Sequence, residues 1–127
     1  NGGVIYPSSH YGRDALVGIA LFLTHLAKKN MSMSELRASY PNYVISKNKV
    51  ELTPSIDIDN LVSKISKKYS HVEQNVIDGL KLEFEDEWVH LRKSNTEPII
   101  RIYAESKDVE KANVLASRFV EEVKSLM

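Results

Sequence analysis

Apolar and polar positions fall along this chain in two different regimes. From Ala15 to Leu23 almost every residue is apolar, so the run predicts a helix that needs cover on all sides. It opens at Arg13 or Asp14 and reaches about Lys29, with Lys28 and Lys29 placed against the negative end of the helix dipole and a stop near Asn30. Before it, Val4-Ile5-Tyr6 is a short strand halted by Pro7. After it, Ser32 and Glu35 have capping-box spacing and open a second, short helix that must finish before Tyr40-Pro41. One scrap of strand and two helices cannot bury the first helix among themselves. The face carrying Leu16, Ile19, Leu23 and Leu26 is therefore expected to be covered by another copy of the chain or by a domain that is missing here.

From Tyr43 onward the pattern becomes periodic. Tyr43 to Leu52 reads as a strand around the polar centre Ser46-Lys47-Asn48-Lys49, with a bulge or bend there, and Thr53-Pro54 ends it. Ile58, Leu61, Val62, Ile65 and Tyr69 recur at helical spacing and predict a helix from about Asp57 to Tyr69. Asp78-Gly79 then punctuates the chain before the alternation Leu80-Lys81-Leu82-Glu83-Phe84. Glu85-Asp86-Glu87 turns into a strand from Trp88 to Lys93, and another runs from Ile99 to Glu105. The last helix, about Asp108 to Leu126, shows Val109, Ala112, Ala116, Phe119, Val120, Val123 and Leu126 as its buried stripe. The order predicts an α+β domain: a four-stranded, mainly antiparallel sheet with two helices on one face. It is preceded by the strand-helix-helix piece, with the boundary between residues 1–40 and 41–127.

Composition narrows the function without choosing it. The chain has 127 residues, 43% hydrophobic and 27% charged, which suits a globular domain with an appendage. Seventeen basic residues balance seventeen acidic ones, so no overall field draws it to nucleic acid or to an anionic membrane, and any anion binding is local. There is no cysteine, which removes thiolate chemistry and agrees with a reducing compartment, the cytoplasm. The apolar run at 15–23 falls well short of the roughly 20 residues needed to span a bilayer.

One stretch carries candidate chemistry. Between the last two strands lies Arg92-Lys93-Ser94-Asn95-Thr96-Glu97-Pro98, with Arg101 on the far arm. A guanidinium on each arm, two hydroxyls, a carboxamide and several backbone N–H groups suit a compact dianion. The same residues also suit an ordinary turn, since Ser and Asn bond their own backbone and Pro98 restricts Glu97.

The run from Arg92 to Glu105 resembles the phosphate-binding loop in the last domain of the α-D-phosphohexomutases, the phosphoglucomutase/phosphomannomutase and phosphoglucosamine mutase family. Asn1-Gly2-Gly3-Val4-Ile5 resembles the end of that family's sugar-binding loop in its third domain, and His10-Tyr11-Gly12-Arg13-Asp14 the segment that follows. The resemblance implies a C-terminal fragment: the end of the third, α/β domain, then a last domain of TATA-binding-protein-like fold. It implies interconversion of hexose 1- and 6-phosphates (glucose, mannose or glucosamine) through a bisphosphate intermediate. The reaction needs a phosphoserine and Mg²⁺ with ligands in earlier domains, so no catalytic residue and no metal ligand is expected here. The fragment alone is expected to be inactive. Carried over residue by residue, Arg92, Ser94, Asn95, Thr96 and Arg101 bind the substrate phosphate, and Asn1 falls where the family often has a Ser that bonds sugar hydroxyls.

Other clusters have plainer readings. Glu83, Glu85, Asp86 and Glu87 form a solvated acidic hairpin rather than a metal site, and His10, His25, His71 and His90 show no metal-ligand spacing. His10 neighbours the sugar-loop remnant. Trp88 and Tyr103 are packing residues more readily than base-stacking ones. The competing class is a non-enzymatic α+β interaction module in which residues 92–98 are only a turn.

Overall fold

The computed structural model describes residues 3–53 and 56–127. Asn1, expected to contact sugar, lies outside the described residues. The chain divides into two compact units, one ending at Pro41 and the other beginning at Asn42.

In the first unit, α1 (Ala15–Lys29) starts at Asp14, whose carboxylate accepts from the N–H groups of Leu16 and Val17 at 2.8 and 3.0 Å. It stops at Asn30, which takes the left-handed conformation (φ 49°) that ends many helices. His10 buttresses the cap: its Nε2–H donates to Asp14 at 2.9 Å while its Nδ1 accepts from Gly12 N–H at 3.0 Å. The Val17 N–H, then the His10 contact, hold the Asp14 carboxyl below its ordinary pKa. A capping box opens α2 (Met33–Ala38): Ser32 Oγ accepts from Glu35 N–H at 3.3 Å and Glu35 accepts from Ser32 N–H at 2.8 Å. The expected strand at residues 4–6 has no partner edge among the described residues of this unit. Its only ladder contact is the single bridge between Tyr6 and His10, and Val4 O instead accepts from Asp14 N–H at 2.9 Å. No residue of α1 is buried; Leu16, Ile19 and Leu23 are 78%, 54% and 54% exposed.

The second unit is an α+β sandwich, as its periodicity predicts. Its elements are β1 (Val44–Glu51), α3 (Ile58–Lys68), β2 (Glu73–Asn75), β3 (Leu80–Glu83), β4 (Trp88–Lys93), β5 (Ile99–Ser106) and α4 (Val109–Ser125). The strands form one antiparallel sheet in the order β1-β5-β4-β3-β2. The short edge strand β2 is additional to the four strands expected. Three residues give too little alternation to be read from sequence, and pairing with β3 is what makes them a strand. β1 runs without the bulge expected at its polar centre, because its register with β5 is continuous from Val44 to Glu51.

One face of the sheet is closed. Leu80, Leu82, Val89, Leu91, Ile100, Ile102 and Ala104 are fully buried there, with Leu61, Ile65 and Tyr69 of the α3 side and Leu115, Phe119 and Val123 of α4. Leu115 joins the stripe of α4, whereas Val109, in the first turn, remains 59% exposed. The core fixes the register, since a slip of one residue would turn Leu91 and Ile102 outward. The alternate residues consequently occupy the other, uncovered face.

Candidate functional site

That uncovered face is where the candidate chemistry lies. Arg92 on β4 and Arg101 on β5 are direct register partners, so both guanidiniums stand on the same side of the sheet beside the loop that joins the two strands. Across β5, Lys49 of β1 is the register partner of Arg101, and Lys47 is that of Tyr103. Three cations from three adjacent strands thus form one row. Like charges opposed across strands repel, so the row is an electrostatic cost to the sheet.

Carboxylates offset part of it. Asp78 forms an ion pair with Arg92 at 3.1 Å, and Glu97 accepts from Arg101 Nη2 at 3.5 Å. Gly79, next to Asp78, has φ +86° and lies so close to β4 that an added Cβ would stand 2.3 Å from Leu91 O. His90 Nε2–H donates to Asp78 O. The Asp78-Gly79 turn is therefore pinned to β4, and Asp78 reaches Arg92 by its Nε. The outer Nη1/Nη2 edge of that guanidinium is left to meet an anion.

The connecting loop is itself hydrogen-bonded. Ser94 N–H donates to Ile99 O at 3.0 Å, Ile99 N–H to Glu97 O at 2.8 Å, and Thr96 N–H weakly to Ser94 Oγ at 3.4 Å. Ser94 is buried, 7% exposed, while Asn95 and Thr96 are exposed. Among the described residues the Asn95 amide and Thr96 hydroxyl make no hydrogen bond within the protein, and neither do the backbone N–H groups of Asn95 and Glu97. The loop is both a closed turn and a set of outward donors, so the two readings of residues 92–98 describe one conformation.

A depression of about 580 Å³ borders this row, lined by Lys47, Asn48, Lys49, Glu97, Ile99, Arg101 and Tyr103. Of the five residues predicted to bind phosphate it contains only Arg101; Arg92 lies on the β4 side of it. Lys47, Lys49 and Asp78 were not singled out by the sequence reading. Lys47 and Lys49 belonged to the polar centre of a strand, and nothing local tells that this strand pairs with one about fifty residues later. A second cavity of about 620 Å³, at the opposite end of β5 beside Asp86, Lys107 and Arg118, holds none of the predicted residues.

Elsewhere on the same face the aromatic rings are engaged. Trp88 Nε1–H donates to Glu105 at 2.9 Å with Lys81 Nζ 4.9 Å from its ring centroid, and Lys47 Nζ lies 5.9 Å from that of Tyr103. In the acidic hairpin, Glu83 pairs with Lys81 at 2.9 Å and Asp86 with Lys107 at 2.6 Å. Among the described residues no three His, Asp or Glu side chains converge in a way that could hold a metal ion, so these residues do not fit a Mg²⁺ site.

Comparison with known proteins gives this geometry its family. Residues 49–122 match the family model of the phosphoglucomutase/phosphomannomutase C-terminal domain, and the chain belongs to that family. The α+β unit has the TATA-binding-protein-like arrangement of that domain. The chain is 44% identical over 119 residues to a phosphoglucosamine/phosphogalactosamine mutase of Sulfurisphaera tokodaii, covering 92% of this chain and 26% of that protein. It is 38% identical over 114 residues to a phosphoglucomutase/phosphomannomutase of Thermococcus kodakarensis, covering 88% and 25%. A crystal structure of a phosphoglucomutase/phosphomannomutase family protein from Burkholderia thailandensis superposes with a TM-score of 0.69 at 26% identity, over 98% of this chain and 27% of that one. The chain thus spans about a quarter of the length of the curated relatives it matches. No helix among the described residues is long and apolar enough to cross a membrane.

Proposed function

We propose that this chain is the phosphate-gripping end of a phosphohexomutase that interconverts hexose 1- and 6-phosphates through a bisphosphate intermediate. The observation that carries the reading is the side-by-side placement of Arg92 and Arg101 at the mouth of a loop rich in outward donors. Arg92 and Arg101 hold the phosphate that is not reacting. Ser94, Asn95 and Thr96 complete its hydrogen bonds, with the Asn95 and Glu97 N–H groups available beside them. Asp78 steadies Arg92 through Nε so that its outer edge meets the anion. Glu97, on Arg101, yields that guanidinium when the stronger dianion arrives.

Such a grip lowers the barrier by positioning, because it removes orientational freedom before phosphoryl transfer. A bisphosphate has to turn over and present either end, so the residues grip phosphate and ignore sugar identity. The junction near Pro41 lets the domain close over substrate and reopen. The phosphoserine and the Mg²⁺ that the family's reaction uses belong to a part of the protein that this chain does not span. The metal would supply electrostatic stabilisation of the transferring phosphoryl group. The 127 residues alone accordingly do not turn over glucose 1-phosphate.

Two measurements test this. In the full-length enzyme, Arg101→Ala is expected to lower kcat/KM by about 100-fold or more, the scale of a lost charge-assisted phosphate contact in a positioned site, with the fold intact by circular dichroism; unchanged kcat/KM would refute the assignment. Glucose 1-phosphate incubated with the purified chain is expected to remain unconverted. A second reading, an interaction module with no anion site, draws on the turn bonds of Ser94 and Thr96. It predicts no phosphate-induced NMR shifts in residues 92–101, where the first predicts shifts concentrated there.

A further inference from the structure

The charges beside the loop do not balance where the arginines are. Arg92 and Arg101 each already have a carboxylate, Asp78 and Glu97, so each arginine with its partner is close to neutral. The cation in the same row with no ion pair among the described residues is Lys49; Glu51, two residues along the strand, does not reach it. The net positive field that a dianion meets at this end of the sheet therefore comes from the exposed lysines without a carboxylate partner among the described residues, Lys47, Lys49 and Lys93, and of these Lys49 stands directly beside Arg101.

Its geometry suits the task. Leu52 N–H donates to Pro98 O, and hydrogen-bonded and non-hydrogen-bonded pairs alternate along an antiparallel ladder. Lys49 and Arg101, three register steps away, are accordingly a non-hydrogen-bonded pair, the kind whose side chains approach more closely. Both line the 580 Å³ depression, on the side of Arg101 away from Arg92. An unbranched ammonium with three rotatable donors can follow an anion that a planar guanidinium holds rigidly.

We infer that Lys49 is a further phosphate-binding residue, bridging the same anion as Arg101 and adding an uncompensated charge at that arginine. The inference rests on the phosphate-gripping role proposed above, and the test separates the two. The 127-residue chain, isotope-labelled, is titrated with inorganic phosphate at low and at physiological ionic strength, comparing wild type, Lys49→Ala, Lys49→Arg and Arg101→Ala. Lys49→Ala is expected to raise Kd by about five- to tenfold and to flatten its salt dependence, while Lys49→Arg stays within about twofold of wild type. The amides of Lys49 and Arg101 are expected to shift together. The same spectra report folding, and Lys49 is exposed, so a lost response is not confused with a lost fold. If Lys49→Ala binds like wild type while Arg101→Ala loses binding, Lys49 is only a surface residue and the loop site stands. If wild type itself shows no shifts at 92–101, the phosphate reading falls and this inference with it.

Discussion

At the scale of single residues the decisive position outside the loop is Gly79. Its positive φ is strained for any L side chain, and the space a Cβ would need is taken by the carbonyl of Leu91. Backbone cannot retreat as a flexible side chain can. Gly79→Ala is expected to destabilise the domain by about 2 kcal/mol or more, read as a lower midpoint in urea denaturation. Because the turn also carries Asp78, the same change moves the carboxylate that steadies Arg92. Asp78→Asn, which keeps the shape and removes the charge, should leave stability nearly unchanged while altering phosphate affinity, in the titration described above. The loop residues behave differently: Asn95 and Thr96 are exposed and spend no side-chain bonds on the fold, so their replacement by Ala should change binding without lowering the denaturation midpoint.

At the scale of elements the two helices of the sandwich are tied by one polar cluster. Tyr69, at the end of α3 and buried against Phe119, donates its hydroxyl to Glu122 of α4 at 2.7 Å and accepts from Arg118 at 2.9 Å, while Lys68 pairs with Glu122 at 2.6 Å. Burial first, then the Glu122 contact, push the Tyr69 hydroxyl above its ordinary pKa of 10.0. Since the folded value is the higher one, this contribution to stability is fully present below about pH 10 and is lost as pH rises through the folded value. An ultraviolet titration should show a tyrosine phase above pH 10 that Tyr69→Phe removes, at a cost of about 1 kcal/mol. The caps of the first unit respond in the opposite direction. The Asp14 and Glu35 carboxyls are held low, Asp14 chiefly by Val17 N–H and Glu35 by Ser32 N–H, so their support for α1 and α2 persists above the ordinary carboxylate range and is lost as pH falls through the folded values. Protection of the Leu16 and Val17 amides should therefore decline in acid. Asp14→Asn, which still caps, should abolish that decline.

At the scale of the whole molecule the two units differ in how far each satisfies itself. The second has a closed core that includes residues with no exposure at all, from Ile65 to Val123. The first presents Leu16, Ile19 and Leu23 on a helix with nothing buried. We propose that apolar area of that kind is covered in the working protein by a second copy or by the missing domain. The chain by itself is expected to self-associate in sedimentation at high concentration. Replacing Leu16, Ile19 and Leu23 by Ser should abolish the association, and a monomer that leaves these residues exposed at all concentrations would remove the need for cover.

Much of this was legible along the chain. Helical spacing located α3 and α4, the capping-box spacing of Ser32 and Glu35 located the start of α2, and alternation located β3, β4 and β5, because each of these signals is local. The loop donors were legible for the same reason, being consecutive. What the order of residues could not settle was which strand lies beside β5. The pairing of β1 with β5 joins Lys49 to Arg101 across some fifty positions, and the folding back of Asp78-Gly79 places a carboxylate on Arg92. Both are consequences of burying one face of the sheet, since the register that hides Leu91 and Ile102 is the one that lines three cations along the other. Sequence determined which side chains could hold an anion; the hydrophobic core decided which of them stand together.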